Sequence, residues 1–172
     1  GVSGATSSNV NVSANGSNFI NNITLTDGIN GGLASNYQLP NLDVAHAPVT
    51  INKATLIVTA DAQSKVYGEL NPTLTQSITG FVNNENLATA GVVGTGNVTT
   101  NVNQFTNVNA SESERTLISN LGSLSSSNYN FVSQNGSLKI DPRPIQVTAD
   151  NASRLYGADN PNLTYQIEKI GR

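Results

Sequence analysis

Val58-Thr59-Ala60-Asp61, Ser64-Lys65-Val66-Tyr67-Gly68, Asn71-Pro72, Leu74-Thr75 and Ile78 recur as Val147-Thr148-Ala149-Asp150, Ser153-Arg154-Leu155-Tyr156-Gly157, Asn160-Pro161, Leu163-Thr164 and Ile167, at an offset of 89 residues. Twelve of the 21 positions from 58 to 78 are identical at this spacing. Chance composition gives roughly one or two, so the stretch is a duplication. Ser35-Asn36-Tyr37 followed by Val49-Thr50-Ile51 is echoed by Ser127-Asn128-Tyr129 followed by Leu138-Lys139-Ile140; the first elements lie 92 apart and the second 89. The 172 residues therefore divide into the C-terminal part of one module (1–53), a complete module (54–142) and the opening of a third (143–172), and both ends read as cuts in a longer chain. A unit of about 90 residues is domain-sized rather than a solenoid turn, so each copy is expected to own its core and meet its neighbours end to end.

The periodicity inside the complete module is two. Thr55-Leu56-Ile57-Val58-Thr59 is a β-branched run, Leu74-Thr75-Gln76-Ser77-Ile78 is mixed, and Ser137-Leu138-Lys139-Ile140 alternates strictly, the signature of strands. The fold class expected is mostly β: tandem antiparallel modules, with β-grasp-like and β-sandwich arrangements both open. Asn135-Gly136, between Asn130-Phe131-Val132 and Ser137-Leu138-Lys139-Ile140, predicts a terminal hairpin, because this pair tolerates the positive φ of a type I′ turn. Asn84–Ala90 and Ser111–Glu114 are the only helix candidates, and neither has a sustained apolar face. Pro142 and Pro144 bracket Arg143 at one junction, where two fixed φ angles predict a stiff joint. At the other, Val49-Thr50-Ile51 is expected as a strand running almost directly into Thr55–Thr59.

Composition narrows the function. Charged residues are 11% of the chain, against about 25% in ordinary soluble domains, and the net charge is −3. Such a balance gives no footprint for nucleic acid. Leu, Ile, Val and Phe supply about a quarter of the residues, enough for a packed core. With no Cys, no Met, no Trp and one His, most nucleophile, soft-metal and imidazole chemistry is absent. No stretch approaches the 18 apolar residues of a membrane span.

The residues Thr59-Ala60-Asp61, Val66-Tyr67-Gly68, Asn71-Pro72, Leu74-Thr75, Ser127-Asn128-Tyr129 and Lys139-Ile140-Asp141-Pro142 resemble the MBG/YDG repeat modules of large secreted bacterial surface proteins, in the YGX-type pattern. Residues 1–53, with Ile23-Thr24-Leu25-Thr26 and Ala34-Ser35-Asn36-Tyr37, are similar to the YDG-type variant. The resemblance implies an extracellular or cell-surface location, a filamentous-haemagglutinin-like adhesin or biofilm-matrix protein, and no catalytic residue.

Read physically, the repeated residues are scaffold. Gly68 and Gly157 permit a tight turn, Asn71-Pro72 and Asn160-Pro161 force extended geometry before a strand, and Tyr67 and Tyr156 are expected to lay their rings on the core with the hydroxyl on a backbone partner.

Other candidate chemistry is thin. His46 lacks a second ligand or nucleophile partner. Glu112 and Glu114 share a face on a strand, but no apolar surround separates their pKa values. Asp27-Gly28-Ile29-Asn30 and Asp159-Asn160 do not fit a calcium loop. Sequons at Asn11, Asn15, Asn22, Asn97, Asn109, Asn135, Asn151 and Asn162 hardly exceed chance. Nothing singles out a Lys–Asn cross-link for Lys53, Lys65 or Lys139, and the pairs Thr24/Thr26 and Thr99/Thr100 read as ordinary strand threonines.

The sequence thus predicts a structural repeat segment acting as stalk or spacer, with neighbouring copies of the same module as partners. It predicts no enzyme activity, no catalytic, cofactor or metal residues, no nucleic acid and no membrane insertion. The tail of one molecule is expected to complete the head of the next by strand addition. The alternative is a module that itself binds host or matrix glycans or glycoproteins.

Overall fold

The computed structural model describes residues 2–169, so Gly1 and the last three residues of the predicted third segment lie outside the described residues. The described chain is mostly β, with eleven strands, two 3-10 turns and no α-helix. Its strands are β1 (Val2–Ser7), β2 (Ile20–Leu25), β3 (Ala54–Ala60), β4 (Gln63–Val66), β5 (Gln76–Thr79), β6 (Asn97–Thr99), β7 (Thr116–Asn120), β8 (Tyr129–Gln134), β9 (Gly136–Asp141), β10 (Ile145–Ala149) and β11 (Tyr165–Lys169). They form two-stranded sheets β1-β2 and β10-β11, a three-stranded sheet β5-β3-β8 and a four-stranded sheet β4-β9-β7-β6. Two compact units result: residues 1–58, 78–96 and 121–132 make the first, and 59–77, 97–120 and 133–172 the second.

In the second unit the core is Ala60, Val102, Leu117, Leu138 and Ile140, flanked by Leu74, Val98 and Val108. β9 supplies it by strict alternation: Leu138 and Ile140 are buried while Lys139 between them reaches solvent and pairs with Asp141 at 2.8 Å. The first unit buries Leu56, Ala90 and Tyr129 against Ala54, Ile78, Phe81, Val92 and Phe131.

Two expectations are corrected. The module is not purely antiparallel: β4 pairs with β9 in parallel, Gln63 opposite Leu138 and Lys65 opposite Ile140. A parallel pair needs a long crossover, and here the chain from β5 to β8 provides it. Nor is Asn135-Gly136 a hairpin turn. β8 and β9 lie in different sheets, and neither residue has positive φ. At Asn135 the chain changes sheets, its side chain accepting the Ser119 N–H at 3.1 Å, because pairing with the opening strands of the module prevails over the local turn preference.

The other deviations follow from partners the sequence pattern does not show. Asn84–Ala90 and Ser111–Glu114 form turns rather than helices; Asn83 and Asn84 sit at φ 55° and 58°, which no helix accommodates. Val49-Thr50-Ile51 makes no strand. The Asn15 side chain takes the place of one, accepting the Ile51 N–H and donating to the Ile51 carbonyl, both at 2.8 Å. A single amide thereby satisfies both backbone groups that a ladder would pair.

Candidate functional site

The duplicated residues build one turn twice. After β3, the Asp61 N–H donates to the Thr75 carbonyl at 2.9 Å and the Thr75 hydroxyl to Asp61 Oδ2 at 2.6 Å. After β10, Asp150 and Thr164 make the same two bonds at the same lengths. Lys65 Nζ donates to the carbonyl four residues on, at Glu69, and Arg154 does the same to Ala158. Gly68 and Gly157 take φ 87° and 82°, conformations that L side chains resist. Lys65, Gly68 and Asn71 of the complete module also grip a second loop, donating to the carbonyls of Asn103 (2.6 Å), Gln104 (3.0 Å) and Val102 (2.6 Å) respectively. Burial holds the Lys65 ammonium below the ordinary lysine pKa, with the Glu69 charge restoring part of the shift.

The repeated tyrosines depart from their expected role. Tyr67 is 37% exposed and Tyr156 is fully exposed; the core accommodates neither ring, because β4 ends at Val66 and the tight Gly68 turn begins. Among the described residues Tyr67 is hydrogen-bonded through its backbone, its N–H on the Asp141 carbonyl at 2.9 Å and its carbonyl accepting Arg143 Nε at 2.7 Å. The role expected of Tyr67 and Tyr156 is filled instead by Tyr129, 2% exposed, for which the sequence predicts no such role. Its ring meets Phe81 edge-on at 6.1 Å, and its hydroxyl accepts the Val82 N–H at 3.2 Å and donates to Glu85 Oε2 at 2.5 Å. Tyr37, its counterpart in the echoed Ser-Asn-Tyr, is exposed.

The Glu85 bond raises the Tyr129 pKa above the usual 10. Between about pH 10 and that raised value the unfolded chain gives up its phenol proton while the folded chain keeps it, so stability present at neutral pH falls as the pH rises. Urea midpoints measured across this alkaline range should fall less steeply for Tyr129→Phe than for the native chain. Identical slopes would show that the bond does not persist in solution.

The remaining candidates are spent locally. His46 Nδ1 lies 2.7 Å from Asp43 Oδ1 in an exposed loop, and this hydrogen bond is the largest factor lowering the Asp43 pKa. Glu114 accepts the Ser111 N–H and hydroxyl at 2.9 and 2.7 Å, which lower its pKa. It lines a different hollow from Glu112. Asp27 accepts the Ala34 N–H at 2.6 Å. Lys53 donates to the Ser126 carbonyl, and neither it, Lys65 nor Lys139 is paired with an asparagine side chain. Thr99 and Thr100 bond Asn120 and the Thr116 carbonyl. All eight sequon asparagines are exposed. Among the described residues no three His, Cys, Asp or Glu side chains gather as a metal site, and no helix is long and apolar enough to cross a membrane.

Sequence reasoning missed the loop that Lys65, Gly68 and Asn71 hold. Phe105 stands at its tip, 69% exposed, and together with Tyr67, Asn101, Asn107, Asn109 and Glu114 it lines a hollow of about 860 Å³. The one available signal was a lone aromatic residue in the polar run Asn103-Gln104-Phe105-Thr106-Asn107.

A mostly β module in which β4, its second strand, pairs in parallel with the closing strand β9, and which is marked by the Tyr-Gly turn, is the class that these features define. Residues 56–139, from within β3 to within β9, match the MBG domain family, YGX type. No curated protein and no solved structure matches the chain.

Proposed function

We propose that the chain is a non-enzymatic structural repeat segment of a secreted bacterial surface adhesin or extracellular-matrix filament. Tandem β modules of about 90 residues, joined end to end, serve as its stalk or spacer. The observation that carries this reading is the recurrence, 89 residues apart, of one turn with the same hydrogen bonds: a residue set retained for chain geometry is what a repeated spacer requires. The match to a surface-protein repeat family supports it.

Head-to-tail pairing by strand complementation is the finer part of the proposal. Ile145, Val147, Leu163 and Ile167 are exposed, whereas their counterparts Leu56 and Val58 are buried and Leu74 and Ile78 are packed on core clusters. In the other part-module, Tyr37 is exposed where Tyr129 is buried. What one end leaves uncovered, the other has residues to cover. Sedimentation of the 172-residue chain at rising concentration should reveal association that a chain ending at residue 142 does not share. Association unaffected by the deletion would reject strand complementation. Antibodies raised against residues 54–142 should label intact cells, and labelling only after lysis would reject the surface role.

A further inference from the structure

We infer that the hollow between Tyr67 and Phe105 is a binding site for a neutral oligosaccharide. Tyr67 is retained in both copies of the repeat, yet its ring is not in the core and its hydroxyl has no hydrogen-bond partner among the described residues. Membership of the core does not account for that retention, and ligand stacking does.

The backbone that carries both rings is held in place. Tyr67 is fixed through its own N–H and carbonyl by Asp141 and Arg143. The opposing loop is fixed by the three bonds from Lys65, Gly68 and Asn71. Within it, Asn103 Oδ1 accepts the Phe105 N–H at 2.8 Å and Thr106 Oγ1 accepts the Asn103 N–H at 3.0 Å, which sets the tip. A site preordered in this way loses little entropy on binding.

The lining chemistry selects the ligand. Two aromatic residues line the hollow, and aromatic faces suit the C–H side of a sugar; the side-chain amides of Asn101, Asn107 and Asn109, unpaired among the described residues, can each donate to and accept from hydroxyls. No Lys or Arg lines the hollow, so an anionic ligand would meet no counter-charge. The one carboxylate, Glu114, already takes two bonds from Ser111. About 860 Å³ lies within the usual range of about 300–1,000 Å³ for small-molecule sites.

The test is titration of the 172-residue chain with chitotetraose, cellotetraose and maltotetraose, preceded by a printed array of neutral and sialylated glycans. Tyrosine emission serves as the signal, since the chain has no Trp. Binding to at least one neutral oligosaccharide is expected. Tyr67→Ala and Phe105→Ala should each weaken it by about tenfold or more, as stacking contacts of about 1.4 kcal/mol would. Tyr67→Phe, which keeps the ring, should stay within a few-fold. Phe105 is exposed, so its variant should keep the native circular dichroism and melting curve. No binding anywhere on the array, binding only to sialylated glycans, or affinity unchanged in both alanine variants would overturn the assignment.

Discussion

Gly136→Ala is expected to unfold much of the second compact unit. A Cβ at this position would lie 2.2 Å from the Ala60 carbonyl oxygen and 3.0 Å from its carbon, both backbone atoms that no rotamer change can move aside. Gly136 is also the residue opposite Leu117 where β9 meets β7, one step from the Thr116 to Ser137 pair. Relief of the overlap therefore has to shift the end of β3 or break that pairing, and either movement opens the core around Leu117 and Leu138. Overpacking of this kind costs about 1–3 kcal/mol even where side chains can yield. Against rigid backbone we expect at least 3 kcal/mol, a large part of the roughly 5–15 kcal/mol that holds a domain together. Gly157→Ala is the control. It has positive φ but nothing within 4 Å of an added Cβ, so it carries only the left-handed cost of about 1–2 kcal/mol. Urea titrations followed by circular dichroism would measure both, and a Gly136→Ala loss no larger than that of Gly157→Ala would reject the steric account.

The same glycine shows where local reading stops. Asn135-Gly136 has the composition of a type I′ turn, and Leu138 and Ile140 lie on the alternating buried face the sequence predicts. The hairpin nevertheless does not form, because β9 has the parallel edge of β4 and the antiparallel edge of β7 to join. Gly136 is required for close approach to Ala60, a contact between residues 76 apart that two-residue turn rules do not include. The duplicated Gly68 and Asn71-Pro72 were legible as instructions for chain geometry, and the bonds of Asp61 to Thr75 and of Lys65 to Glu69 lie within the repeat itself, whereas the partners of Gly68 and Asn71, Gln104 and Val102, lie outside it. Tyr67 was not: the direction of its ring is decided at a turn, and its hollow is completed by residues 101–114, which the repeat does not include. The Asn15 bridge to Ile51 was illegible for a similar reason, as one side chain replaced the ladder that the Val49-Thr50-Ile51 pattern predicts.

Equivalent positions of the repeat should differ sharply in energetic weight. Leu56, 0% exposed in the first unit, corresponds at the 89-residue offset to Ile145, 56% exposed on β10. Leu56→Ala removes a side chain packed among Ala90, Tyr129 and their neighbours, and is expected to cost about 2–5 kcal/mol from lost transfer energy and the cavity left behind. Ile145→Ala, in the dilute chain, removes atoms already facing water and is expected to stay within about 0.5 kcal/mol. The asymmetry makes Ile145 a reporter of whatever covers the β10-β11 face. If a second copy supplies the missing strand, the cost of Ile145→Ala should grow toward that of Leu56→Ala as concentration rises, because association with the folded form adds to apparent stability in proportion to the logarithm of the free partner. Val147, exposed where Val58 is buried, should follow the same course. A large Ile145→Ala loss already present at the lowest concentration would mean that the hairpin is covered within the single chain, and the head-to-tail proposal would then lose its vacant face.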